Sequence, residues 1–114
     1  MHSFTGVVKE GSKRGAVLGF PTANIAMNDP KITGIYVAEL SDGSITYSAA
    51  AYVDTKRNIL EAHLLDYFGS LYGRTVTITL LHKIRESSAF DDEEKLRAAI
   101  EKDVKKVREY FNTT

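Results

Sequence analysis

The sequence predicts a mainly β domain, an antiparallel barrel or sandwich completed by one C-terminal helix. Three observations carry that reading. Six short stretches have strand patterning, turn-forming residues lie between them, and the apolar period changes to a helical one near Asp91.

In chain order the expected strands are Phe4–Lys9, Thr22–Ile25, Gly34–Leu40, Ser44–Val53, Leu60–Asp66 and residues 74–84. The last alternates most clearly. Val76, Ile78 and Leu80 project to one side, and Thr75, Thr77 and Thr79 to the other. The turn signals are Gly11 to Gly15, Asn28-Asp29-Pro30, Ser41-Asp42-Gly43, Asp54 to Asn58 and Gly69 to Gly73. Beyond Asp91, Leu96, Ile100, Val104, Val107 and Phe111 recur at helical spacing and form one apolar stripe. Asp91 with Glu94 has the form of a capping box. Asp92 and Glu93 suit the positive end of the helix dipole, and Lys105, Lys106 and Arg108 lie toward the negative end. Such a helix is expected to lie on the barrel as a plug or buttress.

Composition narrows the function classes. The 114 residues carry 15 basic and 15 acidic side chains, the size of one domain (1–114) without a separate nucleotide-binding fold. Zero net charge, with no aromatic-basic interleaving on one strand, argues against a nucleic-acid partner. No apolar run reaches the ~20 residues of a membrane helix, and no secretory leader pattern opens the chain. The absence of cysteine removes disulfides, thiolate zinc sites and thiol nucleophiles. It is compatible with a reducing compartment, and a cytoplasmic location is expected.

A Walker-type phosphate loop is absent. Gly11-Ser12-Lys13-Arg14-Gly15 offers backbone amides and two cations that suit phosphates, although a solvated hairpin turn explains it about as well. In Gly19-Phe20-Pro21-Thr22-Ala23-Asn24, Thr22 and Asn24 share a strand face. Their hydroxyl and amide oxygens are hard neutral ligands fit for Mg²⁺; the alternative is that they only finish a turn. Glu61 sits in mid-strand, where a carboxylate is unusual, and reads either as a general base or as a solvent-facing edge residue. It shares a face with His63, opposite Leu60, Ala62 and Leu64. His63 reads as a structural or surface histidine, and His2, His63 and His82 show no zinc-ligand spacing. Tyr67, Phe68 and Tyr72 gather around a turn, where they can cap a core or sandwich a planar ring.

Together these residues resemble the riboflavin kinase (flavokinase) family. The resemblance runs from Gly6-Val7-Val8 through Leu18-Gly19-Phe20-Pro21-Thr22-Ala23-Asn24, Gly34-Ile35-Tyr36 and Glu61-Ala62-His63-Leu64-Leu65-Asp66. It continues through Leu71-Tyr72-Gly73 to Ile84-Arg85, with Phe90 ahead of the helix. It implies a six-stranded antiparallel Greek-key barrel with a C-terminal α-helix. The implied reaction moves the γ-phosphoryl of ATP to the ribityl terminal hydroxyl of riboflavin, giving FMN and ADP. By the same resemblance Thr22 and Asn24 hold metal and phosphates, Glu61 is the base, and Arg85 lies at the flavin. Gly11, Lys13, Arg14, Gly15, Leu64 and Tyr72 fall on the nucleotide side. The implied cofactor is Mg²⁺ or another divalent cation such as Zn²⁺, with ATP as co-substrate, and a monomer without membrane partners is expected.

The chain departs from the family pattern in its flanking loops. Glu10 stands where glycine is common, residues 49–58 lack a Pro-Thr loop, and Ser87 replaces a common acidic residue beside Glu86. These departures bear on affinity and loop closure, and they keep open a catalytically weakened flavin- or nucleotide-binding module of the same fold. In 114 residues there is no room for a fused adenylyltransferase, so a monofunctional kinase that stops at FMN is expected.

Overall fold

The computed structural model describes residues 2–9, 22–67 and 69–112. Side-chain alternation decides its inside. Ala23 and Ile25, Ala38 and Leu40, Ala49 and Ala51, Leu60, Ala62 and Leu64, and Val76, Ile78 and Leu80 are all buried in one apolar cluster. They belong to five of the six strands, β2 (Thr22–Ala26), β3 (Ile35–Ser41), β4 (Thr46–Asp54), β5 (Ile59–Leu64) and β6 (Thr75–Arg85), and the partly buried Phe4 of β1 (His2–Val7) packs against them. The sheet order is β1-β6-β3-β4-β5-β2, and every pairing is antiparallel. This is the expected Greek-key barrel, with strand ends shifted by one or two residues.

The barrel nearly closes between β1 and β2. The Lys9 amide donates to the Asn24 carbonyl at 2.7 Å, and Gly6 permits the approach, since a Cβ there would meet Ile25 Cβ at 3.2 Å. Closure leaves few unpaired strand edges. The hairpins are set by aspartates: Asp42 Oδ1 accepts from the Ser44 and Ile45 amides, and Asp54 Oδ1 from those of Lys56 and Arg57. Asn58, at φ 54°, completes the second turn.

The C-terminal helix α1 (Glu93–Asn112) packs on the outer faces of β3 and β4. Ile100, Val104 and Val107 close over Val37, Ala50 and Leu65, each fully buried apolar side chain contributing about 1.5–3 kcal/mol. Of the two expected placements, the helix is therefore a buttress. Its start corrects the sequence reading by one residue. Asp92 is the cap, its Oδ1 accepting the Lys95 amide at 2.7 Å, while Asp91 makes an exposed ion pair with Lys95. The last turn carries no basic residue. Arg108 instead reaches across to Asp66 with two hydrogen bonds of 3.0 and 3.1 Å.

Candidate active site

Strand register builds the site from the residues upward. Directly opposed residues of antiparallel neighbours project to the same face. One row crosses the outer face from Asn24 to Glu61, Tyr52, Ile35 and Arg85. The adjacent row runs Thr22, His63, Ala50, Val37 and His82. At one end the two rows form a square of four polar side chains, Thr22 and Asn24 on β2 beside Glu61 and His63 on β5. Farther along, the same rows pass beneath α1.

The square is secluded. Asn24 and His63 are buried and Thr22 is partly so; the Glu61 side chain is 15% exposed. The His63 Nε2 approaches Glu61 Oε1 at 3.6 Å, beyond hydrogen-bond length. The His63 ring lies 4.3 Å from that of Tyr52, between centroids, tilted by 34°.

Beyond Glu61 the surface falls into a pocket of about 350 Å³. Glu61, His63 and Tyr52 line one side, the β4–β5 turn another, and Phe90, Leu96 and Ile100 supply an apolar wall. Arg85 stands at this pocket but is already engaged. Its Nε donates to Asp103 Oδ1 at 2.9 Å and its Nη2 to Asp103 Oδ2 at 2.8 Å, and its guanidinium lies 5.9 Å from the centroid of Phe90. The hydroxyl of Tyr52 donates to Asp103 Oδ2 at 3.0 Å. Burial, reinforced by the negative charge of Asp103 and this hydrogen bond, raises the Tyr52 phenol well above its ordinary value. The hydrogen bonds from Arg85 to Asp103 likewise favour the charged guanidinium.

The fold thus brings together Thr22, Asn24 and Glu61, and it places Arg85 across the pocket from Glu61. Tyr72 lies elsewhere. It is 65% exposed, in a turn that touches the end of β1 where Gly73 donates to the Val8 carbonyl. That location is beside the Lys9–Asn24 closure and away from the pocket. The Leu64 side chain is inside the barrel core, so any contact it makes outward is through its backbone. Gly11, Lys13, Arg14 and Gly15 lie outside the described residues, as does Phe68. Tyr67 packs edge-on against Tyr47 at 4.8 Å.

Two residues of the site, Tyr52 and Asp103, escaped the sequence reading. Of the placements expected for His63, structural or at the surface, the fold has it buried beside Glu61. Tyr52 alternates with the core positions Ala51 and Val53, a signal available in the sequence, but only register sets it against Glu61.

The square fits a hard divalent cation. Thr22 Oγ1 and the Asn24 amide oxygen would be its neutral donors, and the neighbouring carboxylate would add charge. Among the described residues no group of three or more His, Asp or Glu side chains forms an all-protein cage, and a cation that bridges to phosphates needs none. Neutral oxygens, a carboxylate and an adjoining half-apolar pocket define a small-barrel domain whose site can position a phosphorylated ligand next to an aromatic one.

Comparisons with known proteins place it more narrowly. The family model described as "Flavokinase: Riboflavin kinase" matches residues 1–111, and the chain belongs to the riboflavin kinase family. It is 32% identical, over 95% of its length, to the bifunctional riboflavin kinase/FMN adenylyltransferase of Haemophilus influenzae, of which it covers 38%. A crystal structure of riboflavin kinase from Trypanosoma brucei superposes with a TM-score of 0.68 at 26% identity, covering 97% of this chain and 80% of that one. A crystal structure described as a macrolide-efflux protein from Streptococcus pneumoniae superposes with a TM-score of 0.79 at 29% identity, over 93% of this chain and 38% of its own. The chain thus spans about two fifths of the length of the curated relatives it matches.

Proposed function

We propose that this chain catalyses transfer of the γ-phosphoryl group of ATP to the terminal ribityl hydroxyl of riboflavin, giving FMN and ADP. One observation supports the reading above the others: Glu61 belongs both to the pocket wall and to the polar square. A flavin held in the pocket by its ring system therefore extends its ribityl end toward a carboxylate that has Asn24 and Thr22 at its side.

The chain's own residues divide the work. Phe90, Leu96 and Ile100 exclude water from a planar apolar ring. Arg85, fixed by Asp103, presents a charged, planar edge to the polar rim of the same ring. Thr22 and Asn24 hold a Mg²⁺ or similar divalent cation and, with it, the phosphates. When bound, that cation neutralises charge on the transferred group. Lys13 and Arg14, with Gly11 and Gly15, serve the phosphates through their cations and backbone amides, the family resemblance assigns Tyr72 to the nucleotide, and Leu64 joins it through its backbone. Glu61 accepts the proton of the attacking hydroxyl; positioned proton transfer of this kind contributes about 10²–10⁴-fold. The remainder is positioning and electrostatics, as phosphoryl transfer requires.

The adenylyl transfer named for the bifunctional relatives is not carried over, because the match spans only 38% of the Haemophilus protein. These 114 residues are assigned the kinase step alone, acting in the cytosol as a monomer. Incubation with riboflavin, ATP and MgCl₂, followed by chromatography, is expected to show FMN and no FAD. Flavin and nucleotide binding without FMN, across several nucleotides and divalent cations, would replace this reading with that of a binding module.

A further inference from the structure

Among the described residues, the two ring nitrogens of His63 are the buried side-chain polar atoms that lack a hydrogen-bond partner. The residue is 2% exposed. An unsatisfied buried polar group is destabilising, so a histidine retained there without a partner calls for a physical reason. A merely structural role supplies none, because a phenyl ring would fill the same volume without the penalty. The ring is nonetheless held in place. Tyr52 packs against it at 4.3 Å, and Tyr52 is itself tied to Asp103 by its hydroxyl. Thr22 is its cross-strand partner on one side and Ala50 on the other. His63 also lines the pocket that contains Glu61, with its Nε2 at 3.6 Å from Glu61 Oε1, a few tenths of an ångström beyond a hydrogen bond.

We propose that His63 is a positioning residue for phosphoryl transfer, its Nε2–H closing onto Glu61 Oε1 once substrate is in place and so presenting Glu61 Oε2 to the reacting hydroxyl. The inference rests on the assignment of Glu61 as base. In the step itself, the hydroxyl O–H bond breaks and its proton passes to Glu61 Oε2. The hydroxyl oxygen forms a bond to the γ-phosphorus. The bond from that phosphorus to the β,γ-bridging oxygen breaks, its electron pair leaving with ADP. His63 keeps its proton throughout and touches only the carboxylate. Its contribution is orientation: it determines which carboxylate oxygen faces the reacting hydroxyl and where that oxygen points. Misplacement of a reacting group by about 1 Å can cost about 100-fold.

The test compares His63→Phe, which keeps ring volume and removes both nitrogens, with His63→Gln, whose amide N–H reaches the region of Nε2. Turnover, both KM values and thermal midpoint are measured for each. For His63→Phe, kcat is expected to fall about 10- to 100-fold, with the KM values for ATP and riboflavin within about twofold. Its thermal midpoint should be unchanged or raised, because the unsatisfied atoms are gone. His63→Gln should recover most of the lost turnover. A His63→Phe protein with wild-type kcat, or one whose lost kcat tracks a lowered thermal midpoint, overturns the proposal. So does a Gln variant no better than Phe. If Phe does not fold, His63→Leu replaces it under the same criteria. A wild-type chain that makes FMN while His63→Phe is fully active discards this inference alone, whereas a wild-type chain that makes none discards the kinase reading with it.

Discussion

Arg85 at the end of β6 and Asp103 in the middle of α1 form a two-point ion pair, 2.9 Å from Nε to Oδ1 and 2.8 Å from Nη2 to Oδ2. The Asp103 side chain is 2% exposed and that of Arg85 26%, so the pair fastens the helix to the barrel while forming part of the pocket wall. The two functions separate experimentally. Asp103→Ala leaves both the guanidinium and the Tyr52 hydroxyl without their buried partner and is expected to cost about 3 kcal/mol, whereas Arg85→Leu with Asp103→Leu should cost less, the remaining loss being that of the Tyr52 hydroxyl without its acceptor. If Arg85 also contacts flavin, the double variant folds normally but binds riboflavin more weakly, at unchanged affinity for ATP. Calorimetric titration of each ligand checks this, and unchanged flavin affinity in the stable double variant would remove Arg85 from the flavin site.

Tyr52 makes stability dependent on alkaline pH. Burial, with the nearby Asp103 charge, raises its folded-state value above the 10.0 of a free phenol. A raised value means the stabilisation is fully present below about pH 10, where the unfolded phenol is still protonated, and declines as pH rises further. Tyr52→Phe should therefore lower the thermal midpoint near pH 8, and the gap from wild type should narrow by about pH 11. A gap constant across that range would show that the hydroxyl is not held protonated by the fold.

Glu61→Gln keeps the shape of the side chain and removes the carboxylate proposed as base. Turnover is expected to fall about 10²–10⁴-fold, with riboflavin and ATP binding near wild type. Full turnover in this variant, measured by FMN formation, would transfer the base role to another group.

Thr22→Val exchanges a hydroxyl for a methyl of similar size. The concentration of Mg²⁺ needed for half-maximal activity should rise several-fold, by the loss of one hard donor, while flavin binding is unaffected. An unaltered metal dependence would take Thr22 out of the metal site.

Gly34 and Gly43 provide a matched pair for backbone strain. Both have φ close to 100°, at 99° and 97°. A Cβ at Gly34 would lie 2.7 Å from the Arg85 carbonyl oxygen, and one at Gly43 would meet nothing within 4 Å. Gly43→Ala should cost about 1 kcal/mol from conformation alone. Gly34→Ala should cost more and should also disturb the pocket, because the backbone that must shift is that of Arg85. Equal losses in denaturant unfolding would contradict the steric part of this account.

The square shows how far residue pattern alone reaches. Alternation placed Thr22 with Asn24 and Glu61 with His63, each pair on one face of its own strand, and local turn chemistry marked where those strands end. No local signal aligned the two strands. That alignment comes from the β2–β5 register, Asn24 against Glu61 and Thr22 against His63. The helix start was displaced by one residue for a related reason. Asp91 and Asp92 are both competent caps by type, and the way the chain leaves the barrel selects Asp92.

By itself the sequence determined what depends on short range: six strands, their inward faces, the hairpin aspartates, the amphipathic helix and the family string around Thr22 and Asn24. Tertiary structure alone decided that His63 is buried rather than on the surface, that Tyr52 bridges Glu61 to the helix, and that Arg85 is held by Asp103, 18 residues away. Those contacts join residues far apart in the chain, and their geometry follows from sheet order and helix docking. Side-chain type and spacing fix which face a residue occupies, whereas what it meets there is set by the packing of the whole barrel.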